Sequence, residues 1–203
     1  MPIFHNYKTI FVHIPKTAGT SIEYLLGFKE RDINILRTGW ENSVKIGGCI
    51  YVPQHLTSRH LMDHPTSQNY WDEYYTFSVV RNPYDRILSE YYGHVLRDNK
   101  KKFSNNEFKK WFLDKVIKQE SCHYIPQSNF IIEDGEVLVE DVFKFESLQS
   151  EINILKKKLN IKEELPHKNK SNNNNKIIIL NKENKNIIYD LYREDFINFN
   201  YEK

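Results

Sequence analysis

Short, uninterrupted apolar runs alternate along this chain with longer stretches in which apolar residues return every three or four positions. Ile10, Phe11, Val12 and Ile14 form the first run, closed by Pro15. A run apolar at consecutive positions is that of a strand buried on both faces of a sheet. Ile22, Leu25 and Leu26 then recur at helical spacing. Lys29 to Gly48, with Trp40 and the Gly47-Gly48 pair, is mixed and polar and reads as loop with room for a short strand. Cys49 to Val52 is a second strand, stopped by Pro53, with Gln54-His55-Leu56 at its end. Thr57 or Ser58 then caps a brief helix through Met62. Tyr74 to Val80 is a third strand, ended by Arg81-Asn82-Pro83. Asn82 is a good N-cap, Pro83 suits a first turn and Asp85 complements the helix dipole, which predicts a helix over Tyr84 to Arg97.

The second half keeps this rhythm. Ser104 and Glu107 form a capping box ahead of Phe108, Trp111, Phe112 and Val116, a core-facing helix stripe. Cys122 to Phe130 is a Pro-containing loop, and Asp134-Gly135 between two apolar runs predicts a hairpin over Ile131 to Val139. Val142 to Phe145 is another short strand. Ser147 starts a helix with Leu148, Ile152, Leu155 and Leu159 on one face, and Asn181 starts a last helix carrying Ile187, Ile188, Leu191, Tyr192 and Phe196 inward. Between them Leu165 to Asn175 is a polar break, read as a mobile loop, and Ile177 to Leu180 is a short apolar run. Strands alternating with helices predict an α/β fold in three layers with a mainly parallel central sheet. A length of 203 residues fits one domain.

Composition narrows the partners. With 29 basic and 27 acidic side chains the net charge is +2, which advertises neither nucleic acid nor an anionic membrane. Any anion recognition is therefore local. Cys49 and Cys122 lie in no CxxC or His/Cys cluster, so neither a disulfide framework nor a zinc site is expected. No apolar run approaches a membrane span and no leader pattern opens the chain, so the expectation is a soluble cytoplasmic protein.

The chemistry gathers where the first strand meets the first helix. Lys16, Thr17, Ala18, Gly19, Thr20 and Ser21 form a small-residue loop carrying one cation. Backbone N–H groups, hydroxyls and a helix start converging beside a lysine make an anion site. A Mg-nucleotide Walker A loop needs an opening glycine and a lysine near its end, and here the lysine comes first. Arg81 at the third strand's end, with Ser89 two turns into the following helix, has the makings of a monophosphate clamp. Position alone leaves His55 open between a rim histidine and a capping one.

His-Ile-Pro-Lys-Thr-Ala-Gly-Thr-Ser, His13 to Ser21, resembles the 5′-phosphosulfate loop of sulfotransferases that use 3′-phosphoadenosine 5′-phosphosulfate (PAPS). The likeness is to the carbohydrate branch with the heparan 2-O and chondroitin enzymes. Val80-Arg81-Asn82-Pro83-Tyr84-Asp85-Arg86 followed by Ser89 resembles the family's 3′-phosphate motif, with Arg86 read as a local ion pair. The resemblance implies a P-loop-like fold and sulfuryl transfer from PAPS to an acceptor hydroxyl on a carbohydrate or small polar metabolite. It also implies 3′-phosphoadenosine 5′-phosphate (PAP) as product and no metal. By the same likeness Lys16 and His55 are catalytic, His55 as general base. Lys168, Asn169, Lys170 and Ser171 close over the nucleotide, and His123 or Gln127 contacts the acceptor. The expected lack of a membrane anchor would set the chain apart from the Golgi members of that branch. Two other readings stay open: a Mg-dependent phosphotransferase, which lacks an evident metal-binding carboxylate after a strand, and a nucleotide- or glycan-binding protein without turnover.

Overall fold

The structure, a computed structural model, describes residues 3–28, 43–65, 67–96, 102–165 and 179–203. From the amino end, β1 (Ile3–Phe4) turns back onto β2 (Thr9–Val12), whose exit loop leads into α1 (Gly19–Leu25). β3 (Val44–Ile46) and β4 (Cys49–Tyr51) form an antiparallel hairpin, followed by a 3-10 turn at Pro53–His55, α2 (Ser58–Asp63) and α3 (Gln68–Trp71). β5 (Tyr75–Val80) runs into α4 (Pro83–Tyr91), and α4 ends in a π turn at Tyr92–Leu96. α5 (Asn105–Trp111) ends likewise in a π turn, Phe112–Val116. α6 (Ser128–Ile131), the hairpin of β6 (Ile132–Glu133) and β7 (Glu136–Val137), β8 (Asp141–Lys144), α7 (Leu148–Leu159), α8 (Lys182–Leu191) and α9 (Arg193–Asn198) complete the chain.

Local chemistry fixes many of these boundaries. Asn82 Oδ1 accepts from the Tyr84 N–H at 3.0 Å and Asn181 Oδ1 from that of Asn184 at 2.9 Å, each satisfying a donor that a helix start leaves open. Asp134 and Gly135, at φ of 50° and 83°, supply the two left-handed residues that a tight hairpin turn requires. The last helix differs from the continuous one expected. It breaks at Tyr192, and the bend turns Asp195 into the interior, where it accepts from the N–H groups of Gln127 and Ser128 at 2.8 Å each.

Among the described residues the main sheet has four strands in the order β1-β2-β5-β8; β1 is antiparallel to β2, and the remaining pairs are parallel. Alternation along the strands feeds two cores. Phe11, Phe77, Val79 and Phe143 face α1 and α7, meeting Ile22, Leu25, Leu148, Ile152 and Leu155. Ile10, Val12 and Val80 face the opposite way, toward Leu56, Leu61, Ile125 and Phe130. A third cluster joins α4, α5, α8 and α9 through Ile87, Tyr91, Phe108, Phe112, Ile188 and Tyr192. Full burial of one such side chain contributes about 1.5–3 kcal/mol, so the sheet is held firmly between two apolar layers. The chain is thus mixed α/β with a mainly parallel central sheet.

One expectation is corrected here. β4 belongs to its own hairpin and not to the main sheet, and its outer edge bridges to Ser121. His55 therefore does not stand at the end of a sheet strand. The Gly47–Gly48 turn lets the segment fold on itself, so its apolar residues cover the sheet instead of joining it.

Candidate functional site

Strand register puts the site together. Val12 pairs with Ser78 and Val80 with Lys144, so the chain segments leaving β2, β5 and β8 emerge along one rim. Carboxyl ends of parallel strands are where open α/β sheets gather ligands. In the loop after β2, Lys16 and Ala18 have φ of 70° and 71°, and Thr17 between them has not. This alternation turns successive N–H groups to one side, the geometry of an anion-binding nest. Thr17 is fully buried and its hydroxyl donates to the Ile14 carbonyl at 2.8 Å, so its side chain holds the loop's shape. Ser21 is buried, while Ala18 and Thr20 are half-buried. A Cβ on Gly93, in the π turn after α4, would lie 2.8 Å from Lys16 Nζ, so the ammonium rests on that turn. Ser89 is half-buried one turn before Gly93 and shares that side of the helix.

Arg81 follows β5. Its Nη1 donates to the Lys16 carbonyl at 3.3 Å, joining the two motifs directly, and its guanidinium carbon lies 4.1 Å from the centre of the Phe145 ring. Nε is buried and has no hydrogen-bond partner among the described residues. Burial lowers the pKa of Arg81 against the opposing charges of Asp85 and Glu146. The Arg81 main chain is locked by the Gln127 amide, whose Oε1 accepts from the Arg81 N–H and whose Nε2 donates to the Arg81 carbonyl, both at 2.8 Å. Gln127 is fully buried with both ends of its amide engaged, so it is a strut for Arg81 and is withdrawn from any acceptor. Arg86 also differs from expectation. It is buried, its Nη2 donates to the Ile125 carbonyl at 2.6 Å, and it lies over the Tyr192 ring instead of in a local surface pair.

A row of three histidines crosses the rim beside this clamp. The rings of His13 and His55 meet edge to face with centroids 4.5 Å apart, and those of His55 and His123 at 5.1 Å. His55 Nδ1 donates to the His13 carbonyl at 2.8 Å, because a carbonyl can only accept. Neutral His55 therefore carries its basic lone pair on Nε2. Burial, followed by the charges of His13 and His123, holds the His55 pKa well below the ordinary imidazole value. His13 Nδ1 meets Glu23 Oε1 at 2.8 Å, and Gln54 Nε2 donates to both oxygens of the same carboxylate. His123 Nδ1 meets Glu90 Oε2 at 3.0 Å; His123 is a quarter exposed and Glu90 is buried.

Several of these partners escaped sequence reasoning. Glu23 lies four residues after Gly19, and Glu90 four after Arg86, each on a buried helix stripe where a charged residue needs a partner. Helical spacing could have found them. Phe145 was read as the last residue of a strand. His60 closes the cap of α2: its N–H donates to Thr57 Oγ1 at 3.2 Å while its Nδ1 accepts from the Thr57 N–H at 3.3 Å. Lys168, Asn169, Lys170 and Ser171 lie outside the described residues. Among the described residues no group of three or more His, Cys, Asp or Glu is arranged to hold a metal ion, and no helix is long and apolar enough to cross a membrane. The sulfotransferase family model matches residues 1–202. No curated protein and no solved structure matches the chain significantly.

Proposed function

The chain belongs to the sulfotransferase family, and on that premise we propose that it moves a sulfuryl group from PAPS to a hydroxyl of a carbohydrate or small polar metabolite, on a P-loop-like scaffold. The observation that carries this reading is the junction of the two anion sites. The nest around Lys16 and the guanidinium of Arg81, whose Nε has no hydrogen-bond partner among the described residues, share one hydrogen bond at one rim. Two such sites side by side suit a nucleotide with phosphates at both its 5′ and 3′ positions.

Within that reading the acceptor oxygen attacks sulfur as the bond from sulfur to the 5′-phosphate oxygen breaks, and PAP leaves. Lys16 and the loop N–H groups stabilise the charge that grows on the departing phosphate oxygen. His55 Nε2 takes the acceptor proton. Its depressed pKa keeps it neutral near pH 7 and so able to accept, and the His13 carbonyl fixes the tautomer that presents Nε2. Arg81, with Ser89, binds the 3′-phosphate, while His123 contacts the acceptor.

Release of PAP from PAPS across a panel of mono- and oligosaccharides tests the proposal. His55→Ala is expected to lower turnover by about 10² to 10⁴ while PAP affinity stays near wild type. Turnover within about tenfold of wild type in His55→Ala, together with its loss in His123→Ala, would move the base to His123.

A further inference from the structure

Phe145 stands beside Arg81 because of register. Val80 pairs with Lys144, so the residues after them leave adjacent parallel strands at the same height. The guanidinium carbon of Arg81 lies over the Phe145 ring, 4.1 Å from its centre. A ring face differs from every other partner available to a cation. It attracts the guanidinium through its π quadrupole and fixes its plane, yet takes up none of the N–H donors, which all lie in that plane. A carboxylate in the same place would hold the arginine too, but would consume two donors and cancel the charge. The neighbouring carboxylate of Glu146 is tied elsewhere: its Oε1 accepts from the Asn82 N–H at 2.7 Å and its Oε2 from the Tyr201 hydroxyl at 2.9 Å. Asp85 and Glu146 act on Arg81 through their charge. Nη1 is turned to the Lys16 carbonyl, and on the Nε edge, where two parallel N–H groups make a phosphate-matching fork, the Nε donor has no hydrogen-bond partner among the described residues.

We infer that Phe145 is a specificity-determining support: its ring holds the guanidinium of Arg81 so that the Nε edge reads the 3′-phosphate of the nucleotide. The inference rests on the donor reading proposed above. Phe145 touches no phosphate itself and acts through Arg81. Its loss therefore affects discrimination between nucleotides with and without a 3′-phosphate, whereas a purely structural role would weaken all nucleotides alike.

The test is calorimetric titration with PAP and with adenosine 5′-phosphate, which lacks the 3′-phosphate, on the full chain. The ratio of the two dissociation constants isolates the 3′ site. Phe145→Leu and Phe145→Met, which keep apolar bulk without a ring face, are each expected to reduce the preference for PAP about five- to tenfold, the scale of a partly desolvated cation–π contact. Affinity for adenosine 5′-phosphate and the unfolding temperature of the free protein stay near wild type. Phe145→Tyr retains the preference. In an Arg81→Ala background the preference is already lost, and adding Phe145→Leu changes it no further. An unchanged ratio in both Leu and Met variants overturns the inference, as does an equal loss for the two nucleotides. A wild-type protein that does not prefer PAP overturns the donor reading itself, a result distinguishable because it appears before any substitution is made.

Discussion

Lys16 combines an unfavourable backbone with a favourable charge. Its φ of 70° places a residue with a Cβ in left-handed space, which costs roughly 1–2 kcal/mol, while its ammonium rests on the π turn behind Ser89. Both Lys16→Ala and Lys16→Gly are expected to depress turnover more than PAP affinity, since in the proposed reaction the charge acts mainly on the developing leaving group. Denaturant titration should find Lys16→Gly more stable than Lys16→Ala by about 1 kcal/mol, because only glycine relieves the backbone. Equal stability of the two would show the loop unstrained; lost affinity with unchanged turnover at saturating PAPS would make Lys16 a positioning group. At this scale the sequence was informative wherever chemistry sat within a few residues of its partner, as in Lys16 to Ser21. Helical spacing marks Glu23 and Glu90 as buried charges without naming their histidine partners, and Phe145 meets Arg81 through strand register that no local string encodes.

Gly19 shows how an element can depend on an empty position. A Cβ built there would fall 1.8 Å from His13 Nε2, so the His13 ring occupies the space a side chain would need. That ring is held by Glu23 on the same α1, and its own carbonyl holds His55. Gly19→Ala must therefore push His13 away or move the start of α1, an overpacking cost of about 1–3 kcal/mol. Thermal unfolding should record that loss together with weaker PAP binding and turnover, since the nest and the proposed base shift as one. Wild-type stability and activity in Gly19→Ala would contradict the packing. Elements marked by caps were legible in advance: α4 from Asn82-Pro83, α8 from Asn181, the hairpin from Asp134-Gly135. The placement of β4 was not, because an apolar run of that length fits a sheet strand and a covering hairpin equally well.

For the whole molecule the buried histidine row makes stability depend on pH. His55 has its folded pKa depressed well below 6.5, by burial first and then by His13 and His123. Above pH 6.5 it is neutral in both folded and unfolded chains. Below that, the unfolded chain takes a proton the folded one refuses, so stability falls by up to about 1.4 kcal/mol per pH unit. Burial works to raise the carboxyl of Glu23, but the hydrogen bond and charge of His13, with the Gln54 amide, bring it below its ordinary 4.5, so a second loss begins as pH drops past that value. Urea unfolding between pH 8 and 5 should show the first decline in wild type and a shallower one in His55→Phe; a flat wild-type profile would contradict the buried, neutral His55. The central claim is that the joined sites of Lys16 and Arg81 bind a nucleotide phosphorylated at both ends, and thermal or chemical unfolding with PAP, with ADP and with Mg-ATP tests it most directly. PAP without metal, at about 100 times its dissociation constant, is expected to add roughly 2.7 kcal/mol and to exceed the effect of ADP; clear stabilisation by Mg-ATP with none by PAP would contradict it.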